Sequence, residues 1–193
     1  MRCTEPLDAA TLTDYWLGIL GEGEEELVEE HIFDCETCSG RLAEIQAMAE
    51  GVRTLARAGS LMMVVSESFL NHAGGHGLHV RRYSPPVGGS VQCTVTAEDD
   101  LLIGGLAANL SAARRLDLSL CDTTGKEQFR LVDIPFDSGS GNVLWQQSIT
   151  FAKGAPTSTM VARLIDVGES GEETLLGEYT FNHTRTLPGP GAW

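Results

Sequence analysis

The stretch Val28–Leu42, VEEHIFDCETCSGRL, carries His31, Cys35 and Cys38 in the spacing His-x3-Cys-x2-Cys. Leu27, Val28, His31 and Ile32 recur at helical spacing, so the histidine sits on the inward face of a helix whose N-terminus is rich in glutamate, at positions 22, 24, 25 and 26. A second helix runs from about Glu36 to Ala58, with Leu42, Ile45, Ala49, Val52 and Ala56 along a narrow apolar seam. His31 then ends one helix, Cys35 turns the corner and Cys38 opens the next, so three soft ligands face one gap. A structural zinc site needs four such ligands in tetrahedral array. Cys3, ahead of the first helix, is the leading fourth ligand; Asp8, or water in an open site, are the alternatives. The competing reading is one histidine and two cysteines filling a small core.

Upstream, Leu12, Tyr15, Trp16, Ile19 and Leu20 form the buried face of a further helix that Gly21 stops. Downstream, SLMMVVSESFL from Ser60 reads as a short fourth helix with Ser60 as N-cap, apolar on more than one side. Residues 73–90 are dense in Gly, Pro and His and read as a linker. From residue 91 to 187 the period changes to two: Leu116, Leu118 and Leu120 alternate, as do Met160, Ala162 and Leu164, with turn signals such as DSGSGN between the runs. The expected fold is therefore α+β in two domains. Residues 1–72 form a zinc-binding bundle of three helices plus a detached fourth, residues 91–187 an antiparallel β-sandwich, and residues 188–193 a loose tail. Trp145 is assigned to the sandwich core, and Cys93 and Cys121 to buried, apolar roles.

The chain of 193 residues has a formal net charge of -14, and its five cysteines suit a reducing compartment. Acidity concentrates at the front: residues 1–75 hold 14 acidic and 4 basic side chains. Such a surface repels phosphate backbones and excludes direct nucleic-acid binding by this half, while attracting a basic partner. No secretory or membrane-spanning segment is visible, so a cytoplasmic location is expected. The acceptor-like NLS at 109 and NHT at 182 carry no weight there.

LTDYWLGILGEGEEELVEEHIFDCETCSGRL resembles the zinc-binding anti-sigma factor domain. Tyr15, Gly18 and Leu20 match its first helix, Glu29 and His31 its second, and Cys35 and Cys38 its closing pair. The resemblance covers residues 1–72. It implies a zinc site completed by an upstream Cys or His, the place Cys3 occupies. It also implies sequestration of an extracytoplasmic-function (ECF) sigma factor away from RNA polymerase, with the detached helix wedged between the sigma factor's two domains. Leu61, Val64, Val65, Phe69 and Leu70 would be the anchors of that helix. The same segment could instead pack on its own second domain. Many members of the family carry a transmembrane helix after the zinc unit; without one, the releasing signal acts on the zinc thiolates, on the sandwich through a small ligand or second protein, or by cleavage of the linker.

No nucleophile elbow, His-Glu-x-x-His helix, phosphate loop or dinucleotide fingerprint occurs, so an enzyme is not expected. His72, His76 and His79 lie among glycines with no helix to hold them, which argues against a second metal site, and His183 stands alone. The alternative function is a zinc-containing, non-catalytic adaptor for another basic partner, such as a protease or signalling protein.

Overall fold

The computed structural model describes Cys3 and residues 5–185. The tail at 188–193 and the last strand positions assigned from sequence lie outside them. Two compact units divide the chain, Met1–Arg57 and Ala58–Trp193.

The first unit is three helices: α1 (Ala9–Leu17), α2 (Glu22–Asp34) and α3 (Glu36–Arg57). Asp8 caps α1, its carboxylate accepting from the Thr11 N–H at 2.7 Å, and Gly18 ends it in the left-handed conformation at φ 67°. Glu22, Glu24 and Glu25 occupy the first turn of α2, where the helix dipole favours negative charge, and the Glu24 carboxylate accepts from the Gly21 N–H. Tyr15 donates to Glu29 across α1 and α2, and the Arg53 guanidinium lies 4.8 Å from the centre of the Trp16 ring across α1 and α3. Among the described residues of this unit little is buried: Leu12, Val28, Cys38 and Leu42. The inward face expected on α1 is only partly used, for Ile19 is 65% exposed. The seam of α3 fades along its length. Leu42 is buried and Ile45 half-buried, whereas Val52 is exposed.

The second unit adds β1 (Met63–Val65), α4 (Glu67–Gly75), β2 (Val80–Tyr83), β3 (Ser90–Cys93), β4 (Leu101–Ala107), β5 (Leu116–Cys121), β6 (Glu127–Ile134), β7 (Asn142–Gln147), α5 (Ile149–Gly154), β8 (Ser158–Val167) and β9 (Glu173–His183). One sheet runs β1-β7-β4-β2, the other β3-β9-β8-β5-β6. Both are mixed, which corrects the antiparallel expectation: β2 lies parallel to β4 and β3 parallel to β9. Leu106, Val143 and Trp145 from the first sheet and Leu116, Leu118, Leu164, Tyr179 and Phe181 from the second share one core. Trp145 meets Phe181 edge-on with ring centres 6.3 Å apart, and the Tyr179 hydroxyl, buried and held up to about 12, donates to the Ala107 carbonyl of β4.

Three sequence assignments change here. The fourth helix from Ser60 is a strand followed by a helix. The β-branched pair Val64 and Val65 favours the extended chain, where Val64 stands opposite Trp145, and Ser66 rather than Ser60 caps α4 by accepting from the Phe69 N–H at 3.1 Å. The unit boundary consequently falls after Arg57, not after residue 72. Residues 73–90 are also not a bare linker, because α4 extends to Gly75 and β2 is hydrogen-bonded into the sheet. Composition marked the turns correctly but could not reveal a four-residue strand whose partners lie 21 positions downstream, Val80 facing Leu101.

Asp99 ties this segment down. Its carboxylate takes both Arg81 and the Thr96 N–H, at 3.1 and 2.7 Å. Burial pushes its pKa up, but the Arg81 and Thr96 contacts outweigh that and hold it below the ordinary carboxylate value. Asp99→Ala is expected to cost about 2–3 kcal/mol in urea unfolding. Because the folded pKa is depressed, the stabilisation is present above the unfolded pKa and fades as pH falls through the folded one, so Asp99→Asn should flatten the acid limb of a stability–pH profile.

Candidate metal centre

The chain turns sharply where α2 meets α3. Cys35 sits between them in an extended conformation, φ −122° and ψ 97°, and its carbonyl accepts the Ser39 N–H at 3.0 Å as the first bond of α3. His31 therefore projects from the last turn of α2 and Cys38 from the first turn of α3 into the same gap. The segment ahead of α1 brings Cys3 across that gap from 28 residues before His31.

His31 Nε2 lies 3.3 Å from Cys38 Sγ and 3.5 Å from Cys3 Sγ, and the two sulfurs are 3.9 Å apart. With Cys35 included, all four ligand atoms fall within 4.8 Å of one another, a group that could hold a metal ion. Cys38 is buried and the other three are half-buried. The Cys38 backbone N–H donates to the Cys35 sulfur and, with lesser side-chain contacts, brings that thiol down to about 6, so it is largely thiolate near neutral pH. Cys3 is displaced upward to about 11, by desolvation first and then by the neighbouring Cys35 and Cys38 thiols. Crowded thiols of this kind cannot all ionise unless a cation joins them.

All four sequence-assigned metal ligands are thus brought together. Asp8 is not among them; its carboxylate caps α1, and that contact holds its pKa low. The five residues assigned to partner binding do not form an exposed anchor row. Val65 and Leu70 are buried against Ile103 and Leu144, Val64 packs on the main core, Leu61 is half-buried, and Phe69 alone is exposed. Packing on the second unit, the alternative left open above, accounts for them.

Exposed apolar side chains occur instead on the helices. Phe33 is 88% exposed, one turn from Glu29 and Glu30 on α2, and Met48, Val52 and Leu55 repeat at i, i+4, i+7 on α3. The sequence held one signal for this: Phe33 falls off the Leu27, Val28, His31, Ile32 face. Among the described residues, no helix is long and apolar enough to cross a membrane. No protein-family model matches the chain, and no curated protein matches it.

Proposed function

We propose that this chain is an anti-sigma factor, in which zinc pins three helices into a surface that sequesters an ECF-type sigma factor. The observation that carries the reading is the convergence of Cys3, His31, Cys35 and Cys38. A tetrahedral zinc with Zn–S about 2.3 Å and Zn–N about 2.0 Å separates its sulfurs by about 3.8 Å and a sulfur from a nitrogen by about 3.5 Å. The distances of 3.9, 3.5 and 3.3 Å lie close to those values. Four protein ligands leave no open position for substrate, so the role is structural, not catalytic.

Support for the partner comes from charge and exposure. Helix α2 carries Glu22, Glu24, Glu25, Glu26, Glu29, Glu30 and Asp34, all exposed, together with the exposed apolar Phe33. A basic, DNA-binding protein subunit complements such a surface, and nucleic acid itself does not. Because Val65 and Leu70 are buried in the second unit and Val64 packs on its core, the grip passes to Phe33 and to the α3 stripe of Met48, Val52 and Leu55. This function is exercised in the cytoplasm, where RNA polymerase works.

The test is affinity capture with the reduced, zinc-loaded chain, followed by run-off transcription with any sigma factor recovered. Capture and inhibited transcription are expected, with Phe33→Asp and Val52→Asp each weakening binding about tenfold or more. Recovery of a different basic protein, unaccompanied by any sigma factor, would turn the reading into a zinc-containing adaptor; unaltered binding by both variants would remove the proposed surface.

A further inference from the structure

A cavity of about 80 Å³ opens in the second unit, walled chiefly by Leu102, Ile103, Met160, Ala152 and Phe181, with Phe151, 65% exposed, at its rim. Among the described residues, four buried side-chain polar atoms have no hydrogen-bond partner: Trp145 Nε1, Gln146 Oε1, Gln147 Oε1 and His183 Nε2. Trp145, Gln147 and His183 all line this one cavity, whereas Gln146, on the other face of β7, does not. Buried polar groups are rarely left unpaired, and three on residues that line a single, largely apolar cavity point to a ligand that supplies missing bonds.

The roles of these atoms define its chemistry. The indole N–H only donates, so it requires an acceptor. The Ala155 carbonyl accepts from the His183 ring, and burial holds that ring below its ordinary pKa, so it is neutral near pH 7 and its free Nε2 offers a lone pair. Gln147 Oε1 is a second acceptor. The set holds one donor and two acceptors; a hydroxyl accepts from the indole N–H and gives its single proton to one acceptor, the more basic being His183 Nε2. No Lys, Arg, Asp or Glu lines the cavity, so a carboxylate, phosphate or ammonium would be desolvated without a counter-charge. Cys93 stands opposite His183 in the parallel β3–β9 register and also lines the cavity, but burial raises its pKa, which makes it wall rather than nucleophile.

We propose that the second unit binds a small, uncharged, largely apolar alcohol or phenol, its hydroxyl accepting from Trp145 and donating to His183, and its hydrocarbon body held by the apolar wall. This site is independent of the metal centre and of the partner proposed above.

The experiment titrates the uniformly ¹⁵N-labelled full chain with phenol, benzene and benzoate, following the Trp145 indole N–H resonance, assigned from Trp16→Phe and Trp193→Phe spectra. Phenol is expected to shift that resonance saturably, with a Kd at least about tenfold below that of benzene, and benzoate to leave it unmoved. Ala155→Leu should fill the cavity and abolish the phenol shift. Should that variant not fold, His183→Phe decides, since it should weaken phenol about tenfold and spare benzene. No saturable phenol shift, equal affinity for phenol and benzene, or equal phenol affinity in His183→Phe would each overturn the proposal, and the last two would mean that the three polar atoms bind only water.

Discussion

Stripping the proposed zinc from the reduced chain, or replacing Cys38 by Ser, is expected to unfold Met1–Arg57 and to leave Ala58–Trp193 folded. The reason lies in how little the first unit buries. Among its described residues, Leu12, Val28 and Leu42 are the buried aliphatic side chains, each contributing about 2 kcal/mol. Helices of nine and thirteen residues are too short to persist alone in water. A structural zinc site contributes about 10–16 kcal/mol in comparably small units, more than these contacts supply. Far-UV circular dichroism should therefore lose the signal of α1, α2 and α3, while the near-UV signal of buried Trp145 persists. The same loss should follow His31→Ala. Cys3→Ser should be milder, since water can take a vacated fourth position. Metal-free protein that keeps its full helical signal would refute both the zinc assignment and the folding role given to it.

Arg130→Met is expected to destabilise the second unit by about 3 kcal/mol, the cost of stranding a buried charge. Arg130 reaches Asp117 at 3.4 Å, Glu127 at 2.9 Å and Glu173 at 2.6 Å, so one guanidinium serves three carboxylates. Its pKa is raised, above all by Glu173. Asp117 is the group at stake. It is 2% exposed, and its other oxygen accepts the N–H of Asp133, the single non-glycine residue at positive φ among those described, 52°, where β6 bulges against β5. Methionine keeps the aliphatic stem, so the loss reports the charge rather than the packing. Urea unfolding should show a lower midpoint with an unchanged slope, and Asp117→Asn in the same chain should recover part of the loss. A drop well under about 1 kcal/mol would show that solvent already screens the cluster.

Much of the candidate metal site was legible because it is local. His31, Cys35 and Cys38 lie within two helical turns, and helix geometry alone aims them at one gap. Cys3 was also named from sequence, although only the tertiary fold brings it over the α2–α3 corner and leaves Asp8 outside as a cap. Strand runs were legible for the same reason as helices, since alternation is local. In LDLSLCD, however, alternation assigns Leu116, Leu118 and Leu120 inward and implies open solvent for Asp117 and Ser119, yet both are buried. Ser119 donates to Glu127, Asp117 meets Arg130, and the outer face of β5 is covered by charged side chains from neighbouring strands.

Sequence by itself determined the order of helices then strands, three candidate soft ligands with Cys3 leading for a fourth, and the excess of negative charge at the front of the chain. Tertiary structure alone decided that Val64, Val65 and Leu70 belong to a sheet unit, that β2 pairs in parallel with β4 and β3 with β9, and that three residues bearing an unpartnered polar atom line one cavity. Periodicity reports which face of an element is apolar, because that depends on neighbours three, four or two positions away. Which other element covers that face depends on contacts between residues tens of positions apart, and no local pattern encodes those.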